Sequence, residues 1–327
     1  MRRLLAVALA LLSLAGLAAG GGYLWLLREI DRPGPLAAET TVVIPRGAGL
    51  EAIAGQLEAA GLLRHPYLLF AATRLQPGGN LKAGEFAVPA GSSVRGLLDL
   101  LRSGRTVVRR LTIPEGLTVR EVLALVSAAP ALEGTVLTPP PPEGSLLPET
   151  YFYSWGDSRA VLVNRMREAM DKALAEAWAR RLPDLPVKTP AEALTLASIV
   201  EKETGKSEER ALVAGVFVNR LRAGMRLQAD PTVIHGVTMG QAPLGRELTR
   251  ADLDGDSPYN TYKVVGLPPG PIANPGLASL QAATRPATTK ALYFVADGEG
   301  GHRFAETLAE HNRNVARWRR IQAGQKP

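Results

Sequence analysis

The residues best suited to do chemistry are two glutamates near the end of Thr189 to Thr204, a segment reading TPAEALTLASIVEKET. Thr189 fits a helix N-cap, Pro190 the first helical position, and Glu192 completes a capping box. Gly205 stands where a left-handed residue commonly ends a helix. Leu196, Ile199, Val200 and Glu203 recur at i, i+3, i+4 and i+7, so they share one face. Glu201 lies about 160° around at 100° per residue, with Leu194 and Ala197. A carboxyl group half-buried on an apolar face is hard to ionise, so it keeps its proton near neutral pH and can serve as a general acid. The plain alternative is that both glutamates are solvated helix-end residues, as charged side chains usually are.

Downstream come a further helix and then loops of a different character. A helical pattern from about Glu208 to Ala223 carries Asn219 and Arg220 near its end. After it, Met225 to Gly236 (MRLQADPTVIHG) and Ser257 to Pro275 (SPYNTYKVVGLPPGPIANP) read as proline- and glycine-rich loops. Long irregular loops within a compact domain are often functional. Gln228, Asp230, Thr232, Tyr259, Asn260 and Tyr262 offer amides, hydroxyls and aromatic faces. Their ordinary readings are a turn started by Asp230-Pro231 and core positions for the tyrosines. Glycoside cleavage suits such a set, because a neutral carboxylic acid must protonate the leaving oxygen.

Other chemistries are poorly supported. The chain has no cysteine, so disulfides, thiol nucleophiles and thiolate metal sites are excluded. His65, His235, His302 and His311 lack zinc-motif spacing. Asp252, Asp254, Gly255 and Asp256 resemble the start of a calcium loop, but Lys263 occupies the place of the bidentate glutamate, so the run reads as a turn. No Gly-x-Ser-x-Gly elbow or P-loop occurs. Gly47-x-Gly49-x-x-Ala52 is a superficial dinucleotide fingerprint, rejected because Pro45 interrupts the strand before it. No cofactor is expected.

The elements that must position these residues begin with a membrane-compatible segment. Met1-Arg2-Arg3 precedes an uncharged run from Leu4 to Leu27, long enough to cross about 30 Å of hydrocarbon. Tyr23 and Trp25 near its far end resemble an interfacial belt, and Arg2 and Arg3 favour a cytoplasmic amino terminus, an asymmetry that Arg28 weakens. A cleaved signal peptide is the rival reading, since Gly16-Leu17-Ala18 offers small residues around a cut. The net charge of +7 over 327 residues suggests an anionic partner such as phospholipid or an acidic polymer. Nucleic acid is not expected, since no basic arm is interleaved with aromatics.

After a polar linker from Asp31 to Thr40, a weak repeat appears three times: Val43 to Gly47, Ala87 to Gly91 and Thr112 to Gly116. Each copy follows β-prone residues and precedes a helical pattern, as strand-turn-helix units sharing a small core would. Ala128 to Gly144, with Pro139 to Pro142 consecutive, reads as a rigid extended loop. Ser158 to Arg181 is helical in pattern. Leu292 to Ala296 and His302 to Ala305 flank Asp297-Gly298-Glu299-Gly300-Gly301 as a hairpin, and Thr307 to Ile321 closes the chain as a helix.

Taken in order, ASIVEKET, VFVNRLRAGMRLQADPTVIHG, YNTYKVVGLPPGPIANPG and YFVADGEGGHRF resemble the endolytic murein transglycosylases, the YceG-like family. The resemblance covers roughly Thr40 to the carboxyl terminus, and the proline cluster Pro139–Pro142 is its main departure. It implies an α+β chain: a transmembrane anchor over 1–30, a small LysM-like α/β subdomain over 31–105, and a mixed helical and β catalytic domain over 106–327. It implies non-hydrolytic cleavage of the β-1,4 bond between N-acetylmuramic acid and N-acetylglucosamine in nascent peptidoglycan strands. The muramic 6-hydroxyl attacks the anomeric carbon, leaving a 1,6-anhydro end, and one glutamate serves as acid and then base.

Lytic transglycosylases in general carry a Glu followed by Ser. Here Thr204 follows Glu203, so Glu203 is the expected catalytic residue and Glu201 the second candidate, expected to support or contact substrate. Tyr259-Asn260 resembles the family's Tyr-Asn element, and Gln228 and Asp230 belong to its QxDPT segment. With Asn219, Thr232 and Tyr262 these are the expected substrate-binding residues. The implied partners are glycan strands, the cell membrane and peptidoglycan synthases, with the catalytic domain outside the cytoplasm. Two alternatives stay open: a hydrolase in which Asp230 or Glu201 activates water, and a non-catalytic peptidoglycan-binding scaffold.

Overall fold

The computed structural model describes residues 2–324; Met1, the first residue of the expected anchor, and the last three of the expected catalytic region lie outside them. The chain is a mixed α+β protein with a long apolar amino-terminal helix, and it divides into two units, 1–109 with 152–156, and 110–151 with 157–327.

The first unit begins with α1 (Arg2–Asp31), 30 residues long and apolar enough to cross a membrane. Its leucines stand exposed as far as Leu24, yet Ile30 in its last turn is buried. β1 (Thr40–Ile44), α2 (Leu50–Ala59), α3 (Tyr67–Leu75) and β2 (Gly84–Val88) follow, with β1 and β2 antiparallel and Val42 opposite Phe86. α4 (Val94–Ser103) comes next, its first turn capped by the Ser93 side chain, which accepts from Gly96 N. Val42, Ile44, Ile53, Leu57, Leu69, Phe86, Leu97 and Leu101 form one core, and Ile30 belongs to it.

The chain passes between the units along β3 (Val108–Thr112) and β5 (Thr150–Ser154). All three repeat copies fold as a strand followed by a helix, the third being β3 and α5 (Val119–Ala128) with its Thr118–Glu121 capping box. They do not share one core, however: α5 lies in the second unit. β4 (Leu132–Glu133) pairs in parallel with β6 (Asp157–Ser158) and interrupts the extended loop expected over Ala128 to Gly144, whose first residue ends α5 and whose part after β4 is free of helix and strand.

The second unit then runs through α6 (Arg159–Ala179), α7 (Pro190–Glu203), a 3-10 turn (Ser207–Glu209), α8 (Arg210–Arg222), α9 (Asp230–Thr238), α10 (Arg250–Leu253) and α11 (Leu277–Thr284). It ends with the antiparallel hairpin β7 (Tyr293–Ala296) and β8 (His302–Ala305), then α12 (Leu308–Gly324). Its core joins Leu196, Ile199 and Val200 of α7 to Val213 and Phe217 of α8 and Leu280 of α11.

Two sequence expectations change here. The segment after Met225 is not loop throughout, because Asp230-Pro231 opens α9; proline near a first helical position is a start signal as readily as a turn signal. And α7 is a central helix, which removes the plain reading of its two glutamates as solvated helix-end residues. Ala193, Leu196, Ala197, Ser198, Ile199 and Val200 are all buried, so both faces pack and both glutamates near its end are enclosed on most sides.

Candidate active site

Glu203 ends α7, and its carboxyl group lines a cleft of about 460 Å³ within the second unit. The Thr189 side chain caps α7 by accepting from Glu192 N at 3.1 Å, and Ser198 ties its buried middle to the loop before α11 by accepting from Ile272 N at 3.0 Å. The helix is therefore fixed at both its start and its centre. Facing Glu203 are Arg220 from α8, Leu227 and Gln228 from the following loop, and Asp230 from the first turn of α9. Tyr262, Phe294, Val295, Ala296, His302 and His311 complete the wall.

Asp230 sits at a helix start, where the orphan N–H groups favour an anion. It accepts a hydrogen bond from the Tyr262 hydroxyl at 2.6 Å. Burial and this negative neighbour push the Tyr262 phenol well above its ordinary value. Gln228 adopts a left-handed conformation, φ 52°, which costs a non-glycine residue about 1–2 kcal/mol. Its amide N–H is held by Thr261 O at 3.1 Å, so the surrounding fold sustains the strain that aims this side chain at the cleft.

Arg220 is 7% exposed and has no carboxylate within ion-pair distance among the described residues. Its Nε donates to Leu292 O at 2.6 Å and its Nη1 to Leu227 O at 2.7 Å, while the guanidinium lies over the Tyr293 ring at 5.3 Å. Burial lowers its pKa.

The carboxyl group of Glu203 keeps some accessible surface because the cleft is open, but protein surrounds most of it. Its pKa is raised to about 8, first by burial and then by the negative charge of Asp230, against a smaller opposing effect of Arg220. At neutral pH it is a proton donor in a site also holding a carboxylate and a guanidinium.

Of the residues singled out from sequence, Glu203, Gln228, Asp230 and Tyr262 meet in this cleft. Glu201 does not line it. Its carboxylate, 5% exposed, pairs with Arg210 at 3.1 Å and accepts from Gly276 N at 2.9 Å. Asn219 donates from Nδ2 to Thr289 O and Ala291 O, fixing the approach to β7. Thr232 is buried against the Thr261 hydroxyl at 2.8 Å. The Tyr259 ring packs on His235, centroids 4.7 Å apart. Asn260 is buried, donating to Leu253 O and Gly255 O and accepting from Tyr262 N. These five shape the walls from behind. The acidic run expected as a turn instead has its first member, Asp252, in α10, where it bonds Arg246 and Thr249; the turn begins only at Asp254.

Sequence reasoning missed Arg220, Phe294, His302 and His311 as lining residues. The histidines drew attention only as zinc ligands, and nothing local to the sequence reveals that the hairpin and α12 fold over the end of α7.

The sequence matches the YceG-like family over residues 42–317. It is 33% identical to the endolytic murein transglycosylase of Streptococcus pneumoniae serotype 2 (strain D39 / NCTC 7466), the match covering 92% of this chain and 63% of that protein. The chain thus spans less than two thirds of the length of that relative. It is 29% identical to the endolytic murein transglycosylase of Bacillus subtilis (strain 168), over 90% of this chain and 89% of the other. Among solved structures, a putative yceG-like protein from Listeria monocytogenes is similar with a TM-score of 0.51 and 30% identity, covering 85% of this chain and 99% of that one. This chain belongs to the YceG-like family.

Proposed function

We propose that the chain is a membrane-anchored lytic transglycosylase that cuts peptidoglycan glycan strands internally, with Glu203 as its acid and base. The observation that carries the reading is a carboxyl group with a pKa of about 8 at the base of an open polar cleft. The names of the relatives support the same substrate class.

In the proposed reaction Glu203 gives its proton to the glycosidic oxygen as the bond from that oxygen to the anomeric carbon of N-acetylmuramic acid breaks. The 6-hydroxyl of the same sugar forms the new bond to that carbon, and its proton returns to the Glu203 carboxylate. The products are a 1,6-anhydro end and a free 4-hydroxyl, and no water is consumed. Burial, helped by Asp230, keeps Glu203 protonated at the start, and Arg220 compensates the carboxylate that appears once the proton has left. Gln228, Asp230 and Tyr262 bind the sugars.

Asp230 also favours a second reading, hydrolysis, because a second carboxylate in the cleft can activate water. Mass spectrometry of products from purified peptidoglycan separates the two. Anhydro ends are expected from the wild type and no products from Glu203→Gln; reducing ends would replace the transglycosylase reading with a hydrolase. Wild type that cuts no uncrosslinked strand would favour a scaffold.

We further infer that α1 anchors the protein in the cytoplasmic membrane with its amino terminus inside and the catalytic unit outside. The antiparallel β1–β2 pair with α2 and α3 between its strands supports reading the first unit as a LysM-like subdomain. Glycan-synthesising enzymes at the same membrane are the natural partners of an enzyme acting on nascent strands.

A further inference from the structure

Glu209, six residues after Glu203, closes the 3-10 turn and reaches the β7–β8 hairpin. Its Oε1 accepts the backbone N–H of His302 at 3.0 Å, and its Oε2 lies 2.7 Å from His302 Nδ1. The side chains are 17% and 15% exposed. The imidazole also meets the Phe294 ring edge to face at a centroid distance of 5.2 Å. A carboxylate only accepts, so the short contact puts a proton on Nδ1. In the neutral ring the other nitrogen, Nε2, is then an acceptor. Nε2 has no protein partner among the described residues and is not sealed from solvent, and His302 lines the cleft that holds Glu203.

A clamp that merely held the hairpin would need only the bond to the backbone N–H. The second carboxylate oxygen, which also lies 3.5 Å from the Thr204 hydroxyl, instead fixes the orientation and tautomer of a ring that lines the cleft and whose other nitrogen has no protein partner among the described residues. Sugar hydroxyls are donors as well as acceptors, and Arg220 on the same wall can only donate.

We propose that His302 is a substrate-contacting residue whose Nε2 accepts a hydrogen bond from a saccharide hydroxyl beside Glu203, and that Glu209 is the positioning residue that sets its tautomer. This rests on reading the cleft as a glycan site. Proton transfer at the scissile bond stays with Glu203; His302 fixes the sugar that receives it.

Glu209→Gln tests this without removing volume. The carbonyl oxygen of the introduced amide can still accept the His302 backbone N–H, which turns its NH2 group toward Nδ1. The ring must then carry its proton on Nε2, and its free acceptor becomes a donor. Full-length protein labelled with 15N-histidine has four histidines to assign. The expected result is an Nδ1–H tautomer for His302 in the wild type and Nε2–H in Glu209→Gln. Cleavage of uncrosslinked glycan strands should fall about tenfold or more in kcat/KM, with the melting temperature retained. An Nε2–H tautomer in the wild type, or an inverted tautomer with unchanged cleavage, would overturn the proposal.

Should Glu209→Gln fail to fold, the Glu203→Gln protein provides a second measurement. Adding an uncrosslinked glycan fragment to it should shift the His302 Nε2 resonance, and binding without such a shift overturns the proposal. Wild type that cleaves no glycan at all defeats the reading of the cleft instead, so the two failures are distinguishable.

Discussion

The raised pKa of Glu203 has opposite consequences for activity and stability. As an acid it must be protonated, so cleavage should fall as pH rises through about 8. Asp230→Asn removes the negative neighbour and should move this alkaline limb down by up to about one pH unit; an unmoved limb in a pH–rate profile would show that Asp230 does not act on the acid. For stability, the native state holds a proton that the unfolded chain releases near 4.5. The native protein therefore binds more protons between those values, and its stability declines as pH rises from about 4.5 through about 8. Glu203→Gln escapes that loss. It should be more stable than wild type by about 1–3 kcal/mol at pH 8–9, a figure reduced because the carboxyl is partly wetted, and no more stable near pH 4. Denaturant melts at the two pH values measure the difference.

At the scale of elements, α7 was legible because its start is written locally: Thr189, Pro190 and Glu192 form a cap whatever surrounds them. The β7–β8 hairpin was legible for a similar reason, since Asp297 and its glycines make the turn through the bonds from Glu299 N and Gly301 N to Asp297 Oδ1. The different fates of Glu201 and Glu203 were only half legible. Helix phase separated them, but it could not foresee that Arg210, also paired with Glu115, would claim Glu201. Glu201→Gln should therefore cost about 1–3 kcal/mol of stability while leaving the pH profile and anhydro products unchanged; a lost alkaline limb would return Glu201 to the chemistry. α8 offers a sharper test. A side chain at Gly215 would begin 2.6 Å from Ala287 O, so Gly215→Ala must shift the strand approach that Asn219 fixes. Overpacking of this kind costs about 1–3 kcal/mol, to be read from chemical denaturation.

At the scale of the whole molecule, the second unit carries Glu203 and its cleft, and the first carries α1. The apolar body of α1 contributes nothing to the folded core until its last turns, where Ile30 enters it and Glu29 and Asp31 pair with Arg64 and Arg95. Removal of residues 1–24, which stops short of Leu26 where it packs on the core, should leave the melting temperature of the first unit unchanged. Removal of residues 1–31 also strips Ile30 from the core and should cost about 1.5–3 kcal/mol, visible in a melt of the two truncations side by side. α1 is continuous for 30 residues, about 45 Å, with no proline or break before its keyed end. If it spans the bilayer, the first unit begins at the membrane surface with no slack between them, so the height at which that unit rides above the lipid is written into the length of one helix.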